Sequence, residues 1–406
     1  MIKYLFFLIG VIIPLEYYTY ISIRTLTNSR SISFIYLIIS MVLFLSLFIV
    51  GKNINDSLDE QRKAKITYIS ILIVVFYMPK IFLSIPLILE DLAKLFLYNN
   101  HKKLFSWKER KNIINLLSLT GASFAFFSAI HGIIWGRYFF NLMKKEIYFE
   151  DLPSKFDGLK IIHLSDIHSG SFYLKDREKI QKGIALIMKE KPDLILFTGD
   201  LVNNKASEMD PWISLFSQLK APLGIYAILG NHDYGDYLKW PTNEDKENNF
   251  EALMGVYKKL NWSLLKNEHV KLTKDNEAIY LIGVENWGYD PFPKYGDLKK
   301  STHLIDEKAF KILLSHDPSH FDGEIKAFSK KIHLTLSGHT HGMQFGIEIP
   351  GLIKWSPVKY RYPKWAGLYE EKKRYLYVNR GFGYLAFPGR IGIWPEITCL
   401  TLRKNP

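Results

Sequence analysis

The sequence predicts an all-α membrane segment of about four transmembrane helices followed by an α/β domain. Four long apolar runs crowd the first 150 residues. Beyond Glu150, short β-like runs alternate with helical stretches, the pattern of layered α/β architecture with mixed sheets. Polar motifs recur just after several of those runs, at the edge where α/β folds bind ligands. A chain of 406 residues has room for both parts. The boundaries read as 1–147 for the membrane region and 148–406 for the α/β domain.

A helix needs about 20 mostly apolar residues to cross a bilayer. The runs at about 4–23, 32–50, 66–89 and 113–135 approach or meet that length. The first has the look of a secretory signal, but no small-residue cleavage site follows it. Glu16 and a tyrosine cluster follow instead, so it reads as an uncleaved helix. The third run is broken by Pro79-Lys80. Proline removes a backbone donor and kinks a helix, and a lysine at mid-depth is costly. Lys80 therefore either faces the bundle or meets an anionic headgroup. His131 in the fourth run reads as a packed polar residue. Four spans put the N-terminus and the α/β domain on one side. Lysine and arginine number 8 on that side and 7 on the other, too even to name it.

Charge supports the same division. The net charge is +13, and the first 150 residues carry 17 Lys and Arg against 9 Asp and Glu. Much of the excess thus flanks the apolar runs, where cations meet lipid headgroups. The remainder lacks the dense basic charge that a nucleic-acid partner would require. Cys399 is the single cysteine, which rules out an intramolecular disulfide and a cysteine-based zinc site. It reads as a small core residue.

In the second part, strands are expected over 159–164, 193–197, 223–229, 278–284, 310–314, 333–336, 375–378 and 397–402. Helices are expected over 175–189 and about 207–219, and the polar stretch 239–249 reads as a loop. His163 and His333 lie within strand runs and read as core. His269 and His320 read as surface. The aromatics between Tyr289 and Tyr384 read mostly as core, with some available to line an apolar cleft.

The motifs are Asp166-Ile167-His168, Gly199-Asp200, Gly230-Asn231-His232-Asp233, Ser315-His316-Asp317 and Gly338-His339-Thr340-His341. Their mixture of carboxylate, imidazole and amide oxygen suits divalent metals of intermediate hardness. Asp166 and His168 are two apart and can face one side of an extended loop. Gly199 lets the backbone turn close to an ion. Asn231 offers a neutral oxygen, and Asp233 is expected to fix the tautomer of His232. Asp317 either orients His316 or caps a turn. Arg380 and Arg390, near glycines late in the domain, are candidate phosphate contacts.

Taken in order, these motifs resemble those of the calcineurin-like metallophosphoesterases, over roughly residues 148–406. The resemblance extends to a membrane-associated bacterial branch whose final motif runs Gly-His-Thr-His-Gly-Gly-Gln. Here Met343 stands at the second glycine, which is expected to change the floor of the site. Asn379-Arg380-Gly381-Phe382-Gly383 and the strand around Pro395-Glu396 are also similar to that branch. The resemblance implies a four-layer α-β-β-α sandwich. It implies two divalent ions, one held by Asp166, His168 and His341 and the other by Asn231, His316 and His339, with Asp200 bridging. Manganese is expected, with iron or zinc as alternatives. It also implies hydrolysis of a phosphoester or pyrophosphate bond by a metal-bridging hydroxide, with His232 serving the leaving oxygen. The four spans lead one to expect a lipid-linked or envelope substrate, and the branch resemblance implies a precursor such as UDP-diacylglucosamine. The rival reading is a catalytically silent metal-binding membrane scaffold or transport accessory protein. An intact His232 and an intact ligand set count against it.

Overall fold

The computed structural model describes residues 2–52, 59–97 and 107–405, without the side chains of 2–9, 52, 59–60, 94–97 and 107–112. The basic residues Lys3, Lys52, Lys102, Lys103, Lys108, Arg110 and Lys111 of the orientation count fall outside the described side chains. The chain forms two compact units, Met1–Ile134 and Trp135–Pro406.

The first unit is helical: α1 (Ile2–Thr27), α2 (Arg30–Lys52), α3 (Asp59–Leu72), α4 (Met78–Leu97) and α5 (Trp107–Ile134). Among the described residues, three stretches are long and apolar enough to cross a membrane, Arg30–Gly51, Gln61–Ala93 and Ile113–Ile134. Helix α1 covers the remaining expected run. Helices α3 and α4 are joined by a π-helical turn, Ile73–Tyr77. That turn lies just before Pro79, whose missing N–H and ring disturb the bonding of the preceding turn. Lys80 faces the bundle. Its Nζ lies 2.5 Å from Glu16 Oε1 and 2.8 Å from Ser40 Oγ, and 4.6 Å from the Tyr77 ring centre. Tyr36 and Ser40 also donate to Glu16, so the intramembrane charge is met by partners on α1, α2 and the π-helical turn.

The second unit opens with β1 (Asn141–Phe149), β2 (Lys160–Leu164), α6 (Arg177–Lys189), β3 (Leu194–Phe197), α7 (Ile213–Phe216) and β4 (Ile225–Ala227). Next come α8 (Asn243–Leu260), β5 (Ser263–Leu264), β6 (Glu268–Lys274), β7 (Glu277–Gly283), β8 (Phe310–Leu314) and β9 (Leu334–Ser337). The last are β10 (Ile347–Ile349), β11 (Ile353–Trp355), β12 (Gly367–Glu371), β13 (Arg374–Val378) and β14 (Glu396–Lys404). One sheet runs β1-β14-β2-β3-β4-β5 and the other β12-β13-β9-β8-β7-β6. Both are mixed: β14 is antiparallel to β2, and β6 to β7, while β2-β3-β4 and β7-β8-β9 are parallel.

Strand periodicity explains the layers. Leu194 and Leu196 of β3 pack with Leu281, Ile312, Leu314 and Leu336 in the core between the sheets. The alternate residues, Ile195 and Phe197, pack with Ile184 of α6, Phe216 of α7 and Leu253 of α8. On the far side, Leu313 and Leu376 pack against Leu298 and Phe321 of two short helices. The result is the expected four-layer sandwich. Each fully buried aliphatic or Phe side chain contributes about 1.5–3 kcal/mol. Cys399 is among the buried residues.

Three expectations are corrected. The compact units divide at Ile134 and Trp135, ahead of the expected boundary after residue 147, because β1 pairs with β14 from Asn141↔Glu396 to Phe149↔Lys404. Residues 239–249 are not all loop: α8 begins at Asn243, where Thr242 accepts from the Asp245 N–H at 3.0 Å and Asp245 caps back. His320 is buried rather than exposed, held between Ser315 Oγ and Glu324 and stacked on Trp287.

Candidate metal centre

Loops after β2, β3 and β4 of one sheet and β8 and β9 of the other converge at one edge, and each carries one motif. The backbone there is forced. Asp166, His168, Asp200, His339 and His341 all adopt positive φ, from 47° to 69°. A non-glycine residue adopts that region at roughly 1–2 kcal/mol. Such strain in one cluster marks a functional loop held by its surroundings. Gly199, at φ 95°, approaches so closely that a Cβ there would sit 2.7 Å from Gly230 Cα.

Two groups of potential ligand atoms result, Asp166 with His168 and His341, and Asp200 with His316 and His339. His341 Nε2 lies 3.3 Å from Asp166 Oδ1. His168 Nε2 and His316 Nε2 lie 3.4 and 3.2 Å from the same oxygen, Asp200 Oδ2. Asn231 Oδ1 lies 3.1 Å from His316 Nε2 and 2.9 Å from His339 Nδ1.

Neighbouring groups fix which ring nitrogens face inward. His316 Nδ1 donates to the Thr198 carbonyl at 2.7 Å, and His168 Nδ1 to Asn203 Oδ1 at 3.1 Å. Both therefore present an Nε2 lone pair to the cluster. His339 Nε2 donates to Tyr362 OH at 2.9 Å, and that hydroxyl donates to Asp317 at 3.2 Å. Its Nδ1 lone pair then faces His316 Nε2 at 3.3 Å, an arrangement that needs a proton or a cation between them. Among the described residues, buried His168 Nε2 has no hydrogen-bond partner, only the Asp200 carboxylate at 3.4 Å. These orphaned lone pairs and the buried carboxylates fit divalent cations.

The electrostatics ask for positive charge. Burial works to raise Asp166 and Asp200, yet the facing imidazoles hold both well below the usual carboxylate range. Burial works to lower His316, but Asp200, Asp166 and the Thr198 carbonyl together raise it to about 10. His232 and His341 are pushed down to about 4 by burial.

The expected ligands Asp166, His168, Asp200, Asn231, His316, His339 and His341 thus meet in one cluster, with His232 beside it, 4.9 Å from His168 between ring centres. Three other expectations are corrected. Asp233 does not touch the His232 ring. It accepts from the N–H groups of Gly230, Asp200 and Leu201 at 2.8–2.9 Å, which ties two motif loops together. The Asn203 carbonyl holds His232 Nδ1 instead, at 2.8 Å. Arg380 and Arg390 are not open to a phosphate. Arg380 is buried against Glu348 and Glu396. Arg390 is fully buried and donates to the carbonyls of Gly383 and Arg380 at 2.6 and 2.8 Å. Met343 lies on the rim, 60% exposed, and not in the floor.

Asn203, Tyr362, Tyr237 and Phe292 were not singled out from the sequence. Tyr237 OH accepts from Asn231 Nδ2 at 2.8 Å and its ring covers His232, while the Phe292 ring meets His339 edge-on. Only the side chain of Asn203, three residues after Asp200, lay near enough to a motif to be noticed. The tyrosines and Phe292 sit among many other aromatics and carry no signal.

Comparison with known proteins agrees. Residues 159–343 match the calcineurin-like phosphoesterase family, and residues 2–137 match the transmembrane domain described for a probable calcineurin-like phosphoesterase. The chain is 33% identical over 262 residues to the uncharacterized metallophosphoesterase YkuE of Bacillus subtilis, covering 63% of this chain and 82% of that one. It is 30% identical over 286 residues to a transmembrane protein with metallophosphoesterase domain of Danio rerio, covering 68% of this chain and 60% of that one. An uncharacterized metallophosphoesterase of Helicobacter pylori is 28% identical over 320 residues, 76% of each chain. Fold and site define a metal-dependent phosphoester hydrolase joined to a membrane domain. This chain belongs to the calcineurin-like metallophosphoesterases.

Proposed function

We propose that this membrane phosphoesterase works through a dinuclear centre and cuts a phosphoester or pyrophosphate bond of a lipid-linked substrate such as UDP-diacylglucosamine. The observation that carries the dinuclear reading is the sharing of Asp200 Oδ2 by His168 Nε2 and His316 Nε2, at 3.4 and 3.2 Å. One carboxylate oxygen common to two histidine-bearing groups is what a bridging ligand requires. Asp166, His168 and His341 would hold one ion, and Asn231, His316 and His339 the other. Mixed oxygen and nitrogen donors suit Mn²⁺, Fe or Zn²⁺. Bound, such a pair supplies Lewis acidity toward the phosphoryl oxygens and the attacking water.

The chain's own residues do the rest. Asn203 and Thr198 orient the histidines, and Tyr362 passes Asp317's hold on to His339. His232, fixed through Nδ1, keeps Nε2 for the leaving oxygen and would relay a proton from water to it. Its proximity to the cluster favours an enzyme over a silent scaffold. The test is hydrolysis of bis-p-nitrophenyl phosphate by the full chain with Mn²⁺, lost in Asp200→Asn and His232→Ala. Wild type as inert as the variants under Mn²⁺, Fe²⁺ and Zn²⁺ would sink the catalytic reading. Release of UMP from UDP-diacylglucosamine in detergent decides the substrate.

A further inference from the structure

The β10–β11 hairpin is amphipathic the wrong way round for a soluble domain. Its register pairs Ile347 with Trp355, Glu348 with Lys354 and Ile349 with Ile353. Cross-strand partners share a face. On the other face, Glu348 pairs with the buried Arg380, and Lys354, though exposed, reaches back with its Nζ to the Ala366 carbonyl. Ile347, Ile349 and Ile353 turn outward and are 50%, 47% and 43% exposed, and Leu352 in the turn is 75% exposed. An exposed apolar group of this kind marks a partner surface.

Chain continuity says which partner. The last apolar span ends at Ile134, and the second unit starts at the next residue. Within that unit the entering segment packs on the loop that carries the hairpin's base. The Phe139 ring meets Trp394 at 5.7 Å, and a Cβ on Gly136 would sit 2.7 Å from that same Trp394 ring. The same loop bridges Ile391 to Phe345, and Gly346 N–H donates to the Ile391 carbonyl at 3.0 Å, one residue before β10. Phe139 itself is 60% exposed. The segment that follows the last apolar span and the base of the apolar hairpin therefore pack on the same loop.

We infer that the apolar face of the β10–β11 hairpin, with Leu352 at its tip, docks into the lipid headgroup layer. Aliphatic side chains enter the headgroup and acyl boundary, while the Glu348–Arg380 pair keeps the polar face on the domain. The hairpin follows the final histidine motif directly, through Met343, so docking holds the metal site at the bilayer surface.

The test uses the full chain in nanodiscs of phosphatidylcholine and phosphatidylglycerol. In a Cys399→Ala background, Leu352→Cys or Ile353→Cys carries an environment-sensitive fluorophore. Asn276→Cys, in the β6–β7 turn at the opposite ends of the strands, is the control. Shallow doxyl lipid should quench the labels at 352 and 353 severalfold more than the label at 276, and aqueous iodide should quench them less. Free access of iodide to all three labels, with none quenched by lipid, overturns the inference. Shielding of the hairpin labels from both quenchers also overturns it, and assigns the face to a second copy of the chain. Turnover of bis-p-nitrophenyl phosphate by each labelled protein is recorded alongside, so a dead enzyme is told apart from an undocked hairpin.

Discussion

The ring of His232 is held by the main-chain carbonyl of Asn203, 2.8 Å from Nδ1, and not by the adjacent Asp233. Those two neighbours therefore do separate work. Asp233 accepts three short N–H bonds in a fully buried position, and Asp233→Ala leaves those donors unsatisfied. Each such buried donor costs about 1–3 kcal/mol. In metal-free protein, Asp233→Ala should lower the thermal midpoint by about 5 °C or more. His232→Ala should leave the midpoint near wild type and abolish turnover. An Asp233→Ala protein that melts like wild type would show that its carboxylate does not staple the loops.

Asn203 acts through two different atoms, its carbonyl on His232 and its side chain on His168 at 3.1 Å. Asn203→Ala removes only the second. Loss of a group that orients a metal-binding histidine costs roughly 10- to 100-fold in affinity. Titration with Mn²⁺ should show weakening of that size, with saturating metal restoring most of the turnover. Unchanged affinity would mean that His168 keeps its tautomer without Asn203.

The ligand side chains were legible in the sequence because each lies at a strand end, where hydrophobic periodicity stops. The groups that orient them were less so. A backbone carbonyl such as Asn203's has no sequence signature, and Tyr362 reaches His339 across 23 positions. Arg380 and Arg390 misled because proximity to glycine does not tell an open phosphate contact from a buried cross-link; here Glu396 and a ring of carbonyls consume both. Strand β1 was missed because Lys144, Lys145 and Glu146 on an exposed edge hide its alternation. Helix α8 was missed because its first turns are polar and only its later residues Leu253, Val256, Tyr257 and Leu260 are buried.

In the membrane unit, Lys80 and Glu16 form a charged pair that also engages Ser40. Removing one partner of a buried pair costs more than removing both, because it strands a charge. Lys80→Met should lower the thermal midpoint in detergent more than the double variant Glu16→Gln with Lys80→Met. A double-mutant cycle with an interaction energy of about 1 kcal/mol or more is expected. Additive losses would show that the two charges do not depend on one another.

A final prediction concerns acid stability and a histidine far from the metal cluster. His333 Nδ1 accepts from the Lys311 N–H at 3.0 Å, and its Nε2 lies 2.9 Å from Asp151. Protonation at Nδ1 would set two donors against each other. Burial accordingly pushes His333 down to about 4, against the pull of Asp151. The folded state then binds fewer protons at this ring than the unfolded state between pH 4 and about 6.5. Stability from this group is complete above pH 6.5 or so and is lost as pH falls toward 4, by roughly 3 kcal/mol in all. His333→Gln keeps an acceptor and a donor but cannot titrate. Denaturant melts of metal-free wild type and His333→Gln across that window should converge as pH falls, with wild type losing more. Parallel curves would show that the ring does not carry this acid sensitivity.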